Sequence, residues 1–328
     1  MTGIGSTLFG WFLAALSVIG FASTFVVGGE LAAERAISPS VLALLRFVVA
    51  GGTMLAVGMC VPSLRARLFA PTRHDWLRLL WLGPIGTAFM AWCVFRGCSL
   101  VPVANASMAD ALTPLGIFAV SLLVTRQATI LQIAGLALGF AGALLTIGVV
   151  DAGGLNVSAY GIGDFAILMS ACFWGIYTAL GKDDVERIGA YAFSTWTMLL
   201  GAVLLLAAIA LASLFREQLS GVAGCFGAVR ALFPGLAQGI GRTWPQDLRS
   251  LKLVAFLGVF CTLMPFLTWN AAQKHLPLSV LAMTAYFTPV VALLIDLFAR
   301  SNSVTPLQWA GTLLICLSAV VEVGRNGR

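Results

Sequence analysis

Two ionisable residues stand inside long apolar stretches of this 328-residue sequence: Arg46 in LALLRFVVAGG and Asp110 in SMADALTPLG. If those stretches cross a bilayer, each charge costs several kcal/mol and needs a partner or a task. The predicted helices 39–61 and 101–124 run in the same direction. Each residue lies about two turns from its helix start, roughly 10–12 Å deep at about 1.5 Å per residue. Equal depth permits an Arg46–Asp110 ion pair that relieves both charges. The alternative is that Asp110 works as a proton-coupling carboxylate, loading and unloading a proton at depth.

A second group is defined by spacing. Ser170, Trp174 and Tyr177 fall at i, i+4 and i+7, one stripe of a helix. Ser17, Phe21 and Thr24 repeat that stripe near the N-terminus, and Ser279, Met283 and Tyr286 form a third. Asn270 adds an amide, and Met108 matches Met283 across an internal repeat described below. Aromatic and methionine walls with sparse hydroxyls suit a small amphipathic solute. The competing reading of each residue is helix packing or lipid contact. At about 100° per residue, Asp110 points some 200° from Met108, so methionines facing a cavity would turn Asp110 toward a neighbouring helix.

Other chemistries are excluded. Gly161-Ile162-Gly163-Asp164 spells the GxGD of intramembrane aspartyl proteases, but that reaction needs a second carboxylate, and the preceding predicted helix has none. Asp164 instead complements a helix N-terminus. Two histidines, His74 and His275, and seven cysteines without a CxxC pair supply no metal site and no disulfide framework. No GxxxxGK[ST] loop appears, so ATP is not the energy source. The net charge of +6 comes without a basic, aromatic-interleaved face for nucleic acid. No cofactor and no catalytic residue is expected.

The elements that must position these residues follow from composition. Hydrophobic residues make up 60% of the chain before its 35 glycines are added, and charged residues only 10%. Soluble domains carry about 25% charge, so this chain cannot clothe itself in water. About 20 apolar residues span the hydrocarbon. Segments of that kind fall at 7–28, 39–61, 77–98, 101–124, 128–149, 158–181, 190–214, 252–273, 277–299 and 304–323. The expected fold is therefore an all-α integral membrane protein of ten transmembrane helices. The first run lacks a basic n-region and reads as a retained helix. Short loops on the side of the N-terminus hold ten Lys/Arg against Arg35, Arg96 and Arg300 opposite, which argues for N-in/C-in. Five more basic residues in one long outer loop run against that count.

The chain is also duplicated. Leu82/Leu257, Gly83/Gly258, Thr87/Thr262, Pro102/Pro277, Met108/Met283, Thr113/Thr288 and Pro114/Pro289 are identical pairs at a constant offset of 175. Upstream, Ser17/Ser170 and Phe21/Trp174 align at 153. The expected units are 1–150 and 151–328, the second carrying an extra loop at about 215–250. Within that loop, Gly221–Phe233 reads either as an amphipathic segment on the outer leaflet or as a flexible stretch. Five helices per unit place the second copy upside down, the architecture of secondary transporters that work by alternating access.

The runs LALLRF (Leu42–Phe47), ALTPLG (Ala111–Gly116), YFTPVV (Tyr286–Val291) and GDFAILMSACFWGIYTAL (Gly163–Leu180) are similar to the drug/metabolite transporter superfamily, EamA type. The resemblance covers nearly the whole chain apart from 215–250. It implies a ten-helix exporter of small metabolites or amino acids. Where that family often has a glutamate after the fourth and ninth helices, this sequence reads Thr125-Arg126-Gln127 and Arg300-Ser301-Asn302. The expected function is export of small metabolites, amino acids or amphipathic drug-like compounds across the cell membrane, the inner membrane of a bacterium. The alternative is a non-transporting membrane sensor or assembly partner.

Overall fold

The computed structural model describes residues 4–33, 37–98, 100, 103–125, 129–147, 150–151, 154–155, 162–214, 247–300 and 305–326. Within helices, the side chains of 103–111 are outside the described set, and with them those of Met108 and Asp110. The 221–233 segment is outside it as well.

The first half contains α1 (Ile4–Ala33), α2 (Pro39–Cys60) and a short α3 (Pro62–Leu68). Ser38 caps α2, its hydroxyl accepting from the Val41 amide, and Pro39 sits where a missing N–H costs nothing. The chain continues through α4 (Arg73–Gly83), a π-helical stretch Pro84–Phe89, and α5 (Met90–Cys98). Thr72 and Asp75 make a reciprocal capping box, so α4 begins four residues before the hydrophobic segment predicted at 77. Next come α6 (Val103–Thr125) and α7 (Ile130–Ile147). A two-residue β ladder, Val150–Asp151 with Gly154–Leu155, precedes the second half.

That half contains α8 (Ile162–Ile188), α9 (Ala190–Leu214), α10 (Leu248–Gly258), a second π-helical stretch Val259–Leu263, and α11 (Met264–Ala272). It ends with α12 (Leu278–Thr284), α13 (Phe287–Arg300) and α14 (Pro306–Asn326). Asp247 caps α10 by accepting from the Ser250 amide. A proline stands beside each π stretch, Pro84 opening the first and Pro265 following the second. Proline removes one donor from the i−4 ladder, which lets the register widen by a residue. The segment predicted as one helix over 277–299 breaks at Ala285–Tyr286. Pro289 cannot donate to the Ala285 carbonyl, which instead accepts from the Thr288 amide at 3.0 Å.

Seven helices among the described residues are long and apolar enough to cross a membrane, and 112–123, 130–145 and 306–318 are shorter apolar helices. Polarity is inverted relative to a water-soluble protein. Leu123, Ile130 and Leu313 are more than half exposed, whereas Arg46, Asn270 and Gln273 are buried. Lipid replaces water outside, so polar groups must find partners within.

The helices pair in matched sets. α2 packs on α9, and α7 on α14; α6 and α5 pack on α8, as α13 and α11 pack on α1. The α6–α8 contact is close enough that a Cβ on Gly175 would come within 2.5 Å of the Gly116 carbonyl carbon. Small residues let these backbones touch without a hydrophobic driving force.

Candidate functional site

A central cavity of about 560 Å³ lies where both halves meet. Phe21 and Thr24 (α1), Arg46 (α2), Met90 and Val94 (α5) and Thr113 (α6) line it from the first half. Ser170 and Trp174 (α8), Trp269 (α11), Ala285 at the helix break and Thr288 (α13) line it from the second. The wall is aromatic. The Phe21 ring meets Trp174 at 5.2 Å edge-on, and Trp174 meets Phe266 at 5.0 Å and Trp269 at 5.7 Å. Each such pair contributes about 0.5–1.5 kcal/mol beyond burial, which holds the wall rigid.

Arg46 is held from behind. Its Nε donates to Thr262 Oγ1 at 2.9 Å, and that hydroxyl donates to the Leu257 carbonyl at 2.7 Å across the π stretch. The Phe47 and Phe95 rings stand 5.0 and 5.4 Å from the guanidinium carbon. Among the described residues no carboxylate pairs with it. The 175-residue counterpart of Thr262, Thr87, bonds instead to the Gly83 carbonyl at 2.7 Å and the Thr197 carbonyl of α9 at 3.1 Å. One π stretch thus positions a cation, and the other locks two helices together.

Beside the cavity sits a buried polar cluster. Trp174 stacks on Tyr177 at 5.2 Å, and Asn270 Nδ2 donates to the Tyr177 hydroxyl and to Ser194 Oγ, both at 2.8 Å. Gln273 Nε2 donates to Asn270 Oδ1 at 3.0 Å. Gly86, within the first π stretch, makes room for Tyr177: a Cβ there would fall 2.0 Å from the ring.

Of the residues the sequence singled out, Phe21, Thr24, Arg46, Ser170 and Trp174 are brought together on the cavity. Tyr177 and Asn270 lie in the adjoining cluster. Met283 and Ser279 instead line a second cavity of about 390 Å³ with Ile117 and Leu136. Tyr286 is fully buried there, its hydroxyl donating to the Leu136 carbonyl at 3.0 Å. The premise that the helix-nine methionine faces the central cavity therefore fails, because the Pro289 break rotates Ala285 and Thr288 toward it. Met90, Val94, Thr113, Trp269, Ala285 and Thr288 were not singled out as lining residues. The identity of Thr113 and Thr288 within the repeat was the available signal. Among the described residues no cluster of His, Cys, Asp and Glu is suited to a metal.

At one end of the molecule, α4 and α8 are tied by ions. Arg78 Nε bonds the Asp184 carboxylate at 2.8 Å, and Arg187 reaches Asp75 and Asp184 at 2.5 Å. Both aspartates are buried at their side chains, whereas Arg78 is 30% and Arg187 42% open to solvent. Arg78 stands within α4, and Arg187 in the last turn of α8.

The EamA-like transporter family matches the chain over residues 8–148 and again over 161–323. Uncharacterized transporter YyaM of Bacillus subtilis is 24% identical over 88% of this chain and 85% of its own. An uncharacterized transporter of Archaeoglobus fulgidus is 24% identical over 96% of this chain and 99% of its own. One crystal structure, 22% identical, superposes over 97% of this chain and 96% of that one with a TM-score of 0.68, a likeness of fold. With its apolar helices around a central cavity, this multi-pass membrane protein is a transporter rather than an enzyme, and it belongs to the EamA-like transporter family.

Proposed function

We propose that the chain exports small metabolites, amino acids or amphipathic drug-like compounds from the cell by alternating access. Two five-helix repeats, 1–150 and 151–328, form ten spans in inverted orientation with both termini inside. The carrying observation is the cavity itself, walled by residues of both halves. Support for the repeat comes from the two π stretches, which lie 175 residues apart like the identical sequence pairs. The matched helix pairings and the twofold family match support it too. Exchangeable halves give two related states, each open to one side. In this reading Phe21, Thr24, Ser170 and Trp174 contact the solute, and Tyr177 and Asn270 shape one wall. Met108, Met283 and Tyr286 act in the adjacent packing that moves.

Asp110 corresponds to Ala285 at the 175 offset, and Thr113 corresponds to Thr288, with Ala285, Thr113 and Thr288 all on the cavity. That register supports placing Asp110 on the same cavity as Arg46, either as its partner or as the coupling carboxylate. Counterflow into proteoliposomes, run over a panel of amino acids and amphiphiles, tests the function. Trp174→Ala should abolish flux, while lipid-facing Leu123→Ala should leave it. A folded protein that moves nothing across the panel would favour the sensor or assembly alternative.

A further inference from the structure

Among the described residues, the donors on the central cavity outnumber the acceptors supplied for them. Arg46 is 2% exposed, and its one hydrogen bond uses Nε. Its remaining guanidinium nitrogens have no acceptor among the described residues. Trp269, 1% exposed, has its indole N–H buried without a partner among the described residues. Thr113 and Thr288, the repeat-related pair, make no side-chain hydrogen bond among the described residues. A buried donor without an acceptor is destabilising, and more so when charged. The Phe47 and Phe95 rings offset only part of the arginine's desolvation. None of the described lining residues is acidic.

We infer that the solute is an organic oxyanion, a carboxylate with an apolar or aromatic body. The carboxylate takes the two terminal guanidinium nitrogens of Arg46, a planar fork that matches it two bonds at a time. The body lies against Phe21, Trp174 and Met90. Thr24 and Ser170 have already donated their hydroxyl protons to the Cys261 and Ile167 carbonyls, so they turn lone pairs outward and accept a donor on that body. Thr262 acts as a positioning residue, fixing the roll of the guanidinium from behind. The inference rests on the transporter reading for its physiological meaning, but the binding chemistry stands apart from it.

The test uses the full-length protein in detergent and in proteoliposomes. Thermal stabilisation and tryptophan-fluorescence titration are run with acetate, 4-methylvalerate, 3-phenylpropionate and indole-3-propionate. Their neutral amides and 3-phenylpropylamine are run beside them. The larger carboxylates should bind about ten- to a hundredfold tighter than their amides, the worth of hydrogen bonds to a charged group. Arg46→Gln should remove that preference and Arg46→Lys should keep part of it. The carboxylate–amide comparison on the unaltered protein stands even if Arg46→Gln fails to fold. Equal binding of amides, preference for the amine, or no binding across the carboxylate series overturns the inference. So does carboxylate binding that appears only in Asp110→Asn, since Arg46 would then be neutralised from within. Flux of amides or amines without carboxylates would sink the anion class and leave the transporter standing. Carboxylate binding without any flux would do the reverse.

Discussion

Asn270 is the centre of a small buried network, and its removal separates binding from stability. Its amide nitrogen serves Tyr177 and Ser194 while its oxygen accepts from Gln273. Asn270→Leu leaves the Gln273 amide without its acceptor and Tyr177 and Ser194 without a donor. The expected cost is about 1–3 kcal/mol for each buried group left unpaired. The melting temperature in detergent should fall by several degrees, checked by differential scanning fluorimetry. A variant as stable as the parent would mean that water or relaxation satisfies these groups. Gly86 offers a sterically pure counterpart. Gly86→Ala puts a methyl 2.0 Å from the Tyr177 ring, whereas Gly52→Ala meets nothing within 4 Å. The first should displace Tyr177 from its stack on Trp174 and weaken ligand binding. The second should be neutral or slightly stabilising, since alanine is the better helix former by about 1 kcal/mol.

At the scale of elements, the ion-tied end of α4 and α8 behaves as a latch. Removing one partner leaves the other charge unpaired, a loss moderated by the solvent that reaches both arginines. Asp184→Asn together with Arg187→Gln releases Arg78 and Asp75 from their ion pairs. Hydrogen exchange over 176–190 should quicken while exchange over 248–258 stays unchanged. Equal change in both segments would show general loosening instead. How much of this was legible differs by element. Hydropathy located the apolar segments because lipid imposes a length, and the capping pair Thr72–Asp75 explains why α4 starts earlier than apolarity suggested. The π stretches left no such mark, since Pro84 and Pro265 are equally compatible with an ordinary kink. The phase of the ninth segment was lost at the same kind of place. A stripe projected through Ser279, Met283 and Tyr286 assumes unbroken helix, and the turn at 285–286 rotates the cavity face onto Ala285 and Thr288. Arg46 was found from its charge alone, but its Thr262 partner lies 216 residues away and no local pattern discloses it.

For the whole molecule, the proposed inverted repeat relates two ends whose residues differ. At the offsets of 175 and 153, Arg78 and Asp184 correspond to Leu253 and Leu31. The end where α4 meets α8 is closed by ion pairs, and the corresponding end of α1 and α10 places leucines at those positions. In the proposed orientation, with the N-terminus inside, the ionic end would face the cytoplasm. A difference of only about 1.4 kcal/mol between the two closures is a tenfold population ratio. The empty protein should therefore rest closed inside and reachable from outside, and solute must supply the differential binding that inverts it. Ser170→Cys reports this directly, because residue 170 lines the cavity. The background replaces Cys60, Cys225 and Cys316 with serine. A membrane-impermeant thiosulfonate should label residue 170 from the external face of oriented vesicles and not from the internal face. Adding Asp184→Asn and Arg187→Gln should raise internal labelling about tenfold or more, since relief of even 1.4 kcal/mol gives that factor. Labelling from the internal face alone in the parent protein would reverse either the orientation or the latch. Glycosylation tagging of the 215–250 loop, which is external only if the N-terminus is inside, tells those two apart.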